Sequence, residues 1–191
     1  EKRTDYQSFM QRQHREGGFV VSHEISVADA YSKGRTIFMG LELLVAPGAL
    51  VPRPETELLG TAALTALRQL NMAAPRIVDM CCGAGNLACA IAHHAPASRI
   101  WASDLTDGCV EAARRNITHH GLTDRVSVLQ GDLFEAFSGV ELDGTVDSVV
   151  SVHPDHDTRR GRPAQAVAVE VPPRGREHIA AVIAALHAGG Y

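Results

Sequence analysis

The run Ile77-Val78-Asp79-Met80-Cys81-Cys82-Gly83-Ala84-Gly85-Asn86-Leu87 decides the fold. Its apolar opening reads as a short buried strand from Arg76 to Met80 with an acid, Asp79, near its end. Gly83-Ala84-Gly85 reads as a tight turn, and Asn86 to His94 as a helix. Glycine adopts positive φ without cost and lets backbone pass close to a ligand. The alternation then repeats. Arg99 to Ser103 is a second strand, Asp107 to His119 a helix, Val126 to Gln130 a third strand and Val146 to Val152 a fourth. Short strands alternating with helices predict an α/β fold, a parallel sheet with helices packed on its faces. Asp104 follows the second strand, and Asp132 follows the third in Gln130-Gly131-Asp132-Leu133-Phe134. Three strands thus deliver an acid each to one sheet edge, the edge where open α/β folds bind ligands. An acid after the second strand is placed to accept both hydroxyls of a ribose.

Upstream of this core the pattern is different. Asp5 to Arg15 predicts a short helix with Tyr6, Phe9, Met10 and Gln13 on one face, stopped by Gly17-Gly18. Ser26 to Tyr31 predicts a helical turn, Arg35 to Val45 a hairpin around Met39-Gly40, and Pro47-Gly48 a turn. Leu50-Val51-Pro52-Arg53-Pro54 is extended, because the prolines restrict themselves and the residues before them. A helix follows from Glu55 to Leu70, with Glu55 and Glu57 suited to the positive end of its dipole. Glu177 to His187 predicts a last helix. The chain divides into residues 1–48, a helical segment and hairpin, and residues 49–191, the ligand-binding α/β domain.

Composition sets the outer limits. The chain has 191 residues, 45% hydrophobic and 21% charged, with a formal net charge of −4. That is ordinary globular material with enough apolar residues for a core. It excludes a disordered charged tail, and it gives nucleic acid no basic footprint. No apolar run approaches the length of a membrane helix. Cys81, Cys82, Cys89 and Cys109 fit no zinc spacing and predict reduced thiols in a cytoplasmic protein, with no metal site.

The turn by itself admits two ligands. Gly83-Ala84-Gly85-Asn86-Leu87-Ala88 is compatible with a dinucleotide fingerprint. Asp79 argues against it, since a carboxylate repels a pyrophosphate and favours a cationic amino-acid ligand, S-adenosylmethionine. At this point the sequence resembles a known family. Asp79 to Ala88 looks like the first motif of class I methyltransferases. Pro52-Arg53-Pro54-Glu55-Thr56-Glu57 is similar to a narrower signature, that of HemK-type methyltransferases, which methylate the glutamine amide of peptide chain release factors. Phe38, Gly40 and Val45, Asp104 with Asn116, and Gly131-Asp132-Leu133-Phe134 match the same family. The resemblance runs from about Tyr31 to Val150 and again, loosely, from Glu170 to Gly190.

The resemblance implies a Rossmann-like methyltransferase sheet behind a small N-terminal helical and hairpin region. It implies that Asp79, Gly83 and Gly85 line the methionine part of S-adenosylmethionine, that Asp104 holds its ribose, and that Asp132 with Leu133 flanks its adenine. Pro52, Arg53, Glu55 and Thr56 border that pocket, and Cys81, Asn86, Leu87, Leu105 and Ser151 belong to it. The acceptor side departs from the family. Where the family reads Asn-Pro-Pro-Tyr after the fourth strand, this chain reads Val152-His153-Pro154-Asp155. The family's Asn grips the substrate amide with one donor and one acceptor; Val152 has neither. A site that loses such a partner loses discrimination steeply. His153, Pro154 and Asp155 are the acceptor-side candidates, with histidine the usual base near neutral pH.

The sequence-level reading is therefore an S-adenosylmethionine-dependent methyltransferase of HemK type, acting on a nitrogen or a small-molecule acceptor. The release-factor glutamine is the second choice. A non-catalytic S-adenosylmethionine-binding module and an NAD-dependent oxidoreductase are the readings from other classes. The expected partners are a small-molecule or protein acceptor, neither membrane nor nucleic acid. A sheet of this class has seven strands, of which the pattern places four. This predicts a bare edge beyond the fourth strand, left by truncation or covered by a second copy or another partner.

Overall fold

The structure, a computed structural model, describes residues 26–71, 73–142, 145–152 and 166–170. Ser26 caps helix α1 (Val27–Lys33) by accepting the Asp29 N–H, and Gly34 at φ 67° ends it. Strands β1 (Arg35–Phe38) and β2 (Leu41–Leu44) pair antiparallel across Met39 and Gly40. Both turn residues have positive φ, 48° and 83°, which matches the right-handed twist of the paired strands. Alternation buries Thr36, Phe38, Leu41 and Leu43 on one face. Helix α2 (Pro54–Leu70) opens on a proline, whose fixed φ and missing N–H suit a first helical position.

The core repeats strand and helix as the pattern predicts. Its elements are β3 (Arg76–Met80), α3 (Asn86–His94), β4 (Arg99–Asp104), α4 (Asp107–His119), β5 (Val126–Gln130) and β6 (Ser148–Val152). The sheet order is β5-β4-β3-β6-β7, with the first four strands parallel. In the register Asp79 lies between Ala102 of β4 and Val150 of β6. The chain starts β3 in the middle, lays β4 and β5 on one side, then crosses to β6. The order therefore reverses next to β3, and the ends of β3 and its neighbours lie at such a switch point, where open α/β sheets bind ligands.

Three elements differ from the sequence pattern. Strand β6 starts at Ser148 rather than Val146, because Asp147 brackets Arg76 at the strand entrance. Its carboxylate accepts the Arg76 N–H at 2.8 Å, and its own N–H donates to the Arg76 carbonyl at 2.8 Å. Leu133–Phe137 forms a short 3-10 helix that no periodicity announced. The expected bare edge is not bare. Strand β7 (Ala166–Glu170) pairs antiparallel with β6, from Ser148 opposite Glu170 to Val152 opposite Ala166. Val167 and Val169 alternate with alanines between Pro163 and Pro172-Pro173, a short strand signal that the four-strand pattern passed over; pairing with β6 completes it. The helices expected over 5–15 and 177–187 lie outside the described residues.

Two apolar cores flank the sheet. On one face Phe38, Met39 and Leu43 of the hairpin pack with Leu59 and Leu64 of α2, Leu87 to Ala92 of α3, Ile77, Ile100 and Val150. The hairpin thus shares the main core. On the other face Val78, Met80, Trp101, Phe137 and Val149 pack together. No helix of the described residues is long and apolar enough to cross a membrane.

The Pro47-Gly48 turn is seated backbone to backbone on the first turn of α4. A Cβ built on Gly108 would lie 2.9 Å from the Gly48 Cα and carbonyl oxygen. Gly108→Ala must therefore push the two segments apart, at a cost of about 1–3 kcal/mol. Urea unfolding of variant and parent will show a lowered midpoint with an unchanged slope.

Candidate functional site

The site is built where β3 runs into α3. Three residues there take positive φ: Cys81 at 57°, Gly83 at 55° and Gly85 at 75°. This left-handed backbone is costly for Cys81 and free for the glycines. A non-glycine residue held there is strained, and such strain needs surrounding structure to hold it. Two carboxylates do so. Asp79 Oδ2 accepts the Ala88 N–H at 3.0 Å, tying the end of β3 to α3. Asp104 Oδ2 accepts the Gly83 N–H at 2.9 Å, tying the turn to β4. The Cys82 N–H donates to the Ser103 carbonyl at 2.9 Å and carries the ladder past the end of the strand. Gly85 caps α3, and a Cβ on it would lie 3.1 Å from Ala113 of α4.

The charges of the three acids bear on the Cys81 thiol. Cys81 is pushed up to about 11 by burial first and then by the charges of Asp104 and Asp79, with a smaller contribution from Asp132; a hydrogen bond with Ser151 acts against them. Strand pairing sets Ser103 of β4 and Ser151 of β6 beside Met80 of β3, and Gln130 of β5 beside Asp104. Asp104 also accepts the Thr106 N–H at 3.2 Å through Oδ1. Asp132 is exposed at the start of the 3-10 helix, and Leu133, at φ 45°, packs partly into the second core. Leu105 is 61% exposed, an apolar side chain left on the rim.

The remaining candidates are placed less uniformly. Ala49 packs with Ala84 and Ala112, so the Ala49–Arg53 stretch runs beside the turn. Along it Pro52 is half-buried and Arg53 exposed, and Glu55 and Thr56 follow in the first turn of α2, Thr56 buried. Asn86 is half-buried at the start of α3, whereas Leu87 turns its side chain into the main core. His153, Pro154 and Asp155 lie outside the described residues. Sequence reasoning left two residues out of the site. Glu57 is 3% exposed. Its carboxylate accepts the Met39 N–H at 2.8 Å, which joins the first turn of α2 to the hairpin turn. Asn116, fully buried, reaches the turn from α4. Its signal was an amide on the apolar face of an amphipathic helix, between Ala113 and Ile117.

The charge and shape of the edge define what fits. Among the described residues none of Asp79, Asp104 and Asp132 has an ion-pair partner. Asp79 is 1% exposed, and its Oδ1 has no hydrogen-bond partner. A Cβ on Gly83 would meet nothing within 4 Å, so the backbone there faces open space. An uncompensated set of carboxylates beside open backbone suits a cationic ligand that also carries hydroxyls. S-adenosylmethionine has a sulfonium, an ammonium and a ribose, and the residues present fit it. Among the described residues no cluster of ligating side chains could hold a metal ion.

Comparison with known proteins agrees with this chemistry. Residues 77–171 match a family described as a methyltransferase domain. The chain is 44% identical over 121 residues to the release factor glutamine methyltransferase of Streptomyces coelicolor, covering 63% of this chain and 41% of that protein. It is 41% identical over 124 residues to the 4-amino-L-phenylalanine/4-methylamino-L-phenylalanine methyltransferase of Streptomyces pristinaespiralis, covering 63% and 40%. The chain thus spans about two-fifths of the length of these curated relatives. Among solved structures, the METTL16 MTase domain superposes with a TM-score of 0.50 at 18% identity, over 60% of this chain and 47% of that one. The fold is the Rossmann-like fold of class I methyltransferases.

The Asp79 carboxyl is pushed up to about 7, chiefly by burial, with the Ala88 N–H acting against it and the Asp104 charge adding to it. The ordinary value is 3.8. From about pH 4 to 7 the folded protein holds a proton that the unfolded chain has lost. The stability this group contributes is therefore complete below about pH 4 and declines as pH rises through 7. Asp79→Asn cannot ionise and removes the decline. Urea-unfolding free energies across that range will fall less steeply in the variant, by up to about 1.4 kcal/mol per pH unit.

Proposed function

We propose that this chain, which matches a methyltransferase-domain family over residues 77–171 and is 44% identical over 121 residues to a release factor glutamine methyltransferase, is a HemK-type S-adenosylmethionine-dependent methyltransferase that transfers a methyl group to a nitrogen of a small-molecule acceptor. The grip of Asp104 on the Gly83 N–H and of Asp79 on the Ala88 N–H, with Asp132 following the adjoining strand β5, carries the cofactor half of this reading. S-adenosylmethionine supplies an electrophilic methyl group on a sulfonium. Asp104 takes the ribose hydroxyls, Gly83 and Gly85 give the methionine part a close backbone, and Leu105 and Leu133 offer apolar contact to the adenine. What the chain adds is orientation and exclusion of water, and holding an acceptor in line supplies most of the acceleration in such a reaction. A neutral amine attacks with its own lone pair, and His153 is the group we assign to take the proton it sheds.

The acceptor follows from Val152-His153-Pro154-Asp155. A planar glutamine amide entering there finds no side-chain partner at Val152 for its oxygen and second hydrogen. An amine needs no such grip. The relative from Streptomyces pristinaespiralis, named for an aromatic amino-acid amine, is a precedent within the same similarity range. The release-factor glutamine is the second reading, favoured by the name of the relative from Streptomyces coelicolor. Free thiols at Cys81, Cys82, Cys89 and Cys109 suit a cytoplasmic setting. The proposed partner is the acceptor; the edge of β6, where a second copy was expected, is taken by β7.

Two measurements test this. Asp104→Ala loses charge-assisted hydrogen bonds to the ribose and will weaken S-adenosylmethionine binding about 10- to 100-fold by calorimetry. An unchanged dissociation constant in a folded variant overturns the assignment. Labelled-methyl transfer from the unmodified chain will reach 4-amino-L-phenylalanine or a similar amine, and will pass over a peptide carrying Gly-Gly-Gln. The unpaired amide costs about 1–3 kcal/mol per group, or one to two orders of magnitude in rate. Val152→Asn with Asp155→Tyr will restore part of the peptide activity. Robust labelling of the peptide by the parent returns the release-factor reading to first place. Cofactor binding without transfer to any acceptor leaves a binding module.

A further inference from the structure

Asn116 is fully buried in the last turn of α4, and both protons and the oxygen of its amide are engaged. Oδ1 accepts the Leu44 N–H at 2.7 Å, and Nδ2 donates to the Leu44 carbonyl at 3.2 Å and to the Ala84 carbonyl at 3.0 Å. Three protein partners leave one orientation for the amide, because flipping it would set its oxygen against two carbonyls. One side chain thus joins the end of β2, 72 residues earlier in the chain, to the turn between β3 and α3.

The Ala84 carbonyl is a sensitive place to hold. It lies between Gly83 and Gly85, both at positive φ. Glycine has no Cβ to restrict rotation of the adjoining peptides. An anchor on the carbonyl sets which way the Ala84–Gly85 peptide faces, and with it the cap of α3. The turn is then gripped from three sides: Gly83 N–H by Asp104 of β4, Ala84 carbonyl by Asn116 of α4, and Ala88 N–H by Asp79 of β3. The first and last grips use residues of the sheet itself. The middle one alone passes on the position of the hairpin, which is seated by its own contacts. Glu57 holds the Met39 N–H, and the His94 ring lies 2.9 Å from the Met39 carbonyl.

We infer that Asn116 is a positioning residue for the cofactor turn, through which the seating of the β1–β2 hairpin sets the affinity for S-adenosylmethionine. The inference rests on the methyltransferase reading for its ligand but not for its geometry, and the experiment separates the two. Asn116→Asp is nearly isosteric. It keeps the acceptor for Leu44 N–H and loses both donors, placing an oxygen against the Ala84 and Leu44 carbonyls. Val126→Ala, in the buried start of β5 away from the turn, controls for general loss of stability.

Calorimetry with S-adenosylhomocysteine is expected to give a dissociation constant about tenfold higher for Asn116→Asp and within about twofold of the parent for Val126→Ala. Native-state hydrogen exchange of the free proteins is expected to accelerate at Gly83 and Gly85 in Asn116→Asp only, since a core cavity does not change local opening of a turn. In the parent, S-adenosylhomocysteine is expected to slow exchange at Leu44, outside the pocket, because coupling between two places is reciprocal. That measurement needs no variant and stands even where Asn116→Asp fails to fold. Equal weakening by both variants, unchanged exchange at Gly83 and Gly85 in Asn116→Asp, or unchanged exchange at Leu44 on binding overturns the inference. A parent that does not bind S-adenosylhomocysteine sinks the methyltransferase reading instead, and exchange in the free proteins still decides the role of Asn116.

Discussion

The bond from the Asp79 carboxylate to the Ala88 N–H is the constraint on which the rest is arranged. It joins the end of β3 to α3 across only eight intervening residues, so the chain between them must fold into a compact turn. That turn requires left-handed backbone at Cys81, Gly83 and Gly85. The carboxylate that enforces it is buried with one oxygen unpartnered, in the neighbourhood of a second acid. Burying such a group is costly. A cationic ligand offsets that cost, so the energetic weak point of the fold and its ligand preference have one cause.

Around this turn the other elements act as clamps. Asp104 holds Gly83 from β4, and Asn116 holds Ala84 from α4. The hairpin is fastened by polar contacts to backbone rather than by sheet pairing. Glu57 takes the Met39 N–H. Two imidazoles, His94 and His120, sit 2.9 Å from the Met39 and Glu42 carbonyls, so each Nε2 carries its proton and donates. Burial holds both rings below the ordinary histidine range, which keeps them neutral near pH 7. The Pro-Arg-Pro-Glu-Thr-Glu segment thus has a structural duty at its last residue, independent of any pocket its first residues border.

The two halves of the proposed reaction are unequally determined. The cofactor half rests on backbone geometry and carboxylates that the strand order brings together. The acceptor half rests on the residue chemistry of Val152-His153-Pro154-Asp155. Loss of an amide partner is informative because polar satisfaction is steep. A buried group without a partner costs more than a partner contributes, so one substitution moves acceptor preference further than many apolar changes would.

The sequence by itself determined the alternation of β3, α3, β4, α4 and β5 almost to the residue, because hydrophobic period and glycine punctuation are local. It also determined that Asp79, Asp104 and Asp132 share an edge, since parallel strands all point their ends one way. Only the tertiary structure decided the duties of Glu57 and Asn116, whose partners lie 18 and 72 residues away. A buried acid at a helix start and a buried amide on a helix face look the same in sequence whatever they hold. Strand β7 was hidden for a related reason. Its alternating valines between prolines are a weak local signal, and what makes Ala166–Glu170 a strand is the edge of β6 it pairs with, a property of another part of the chain.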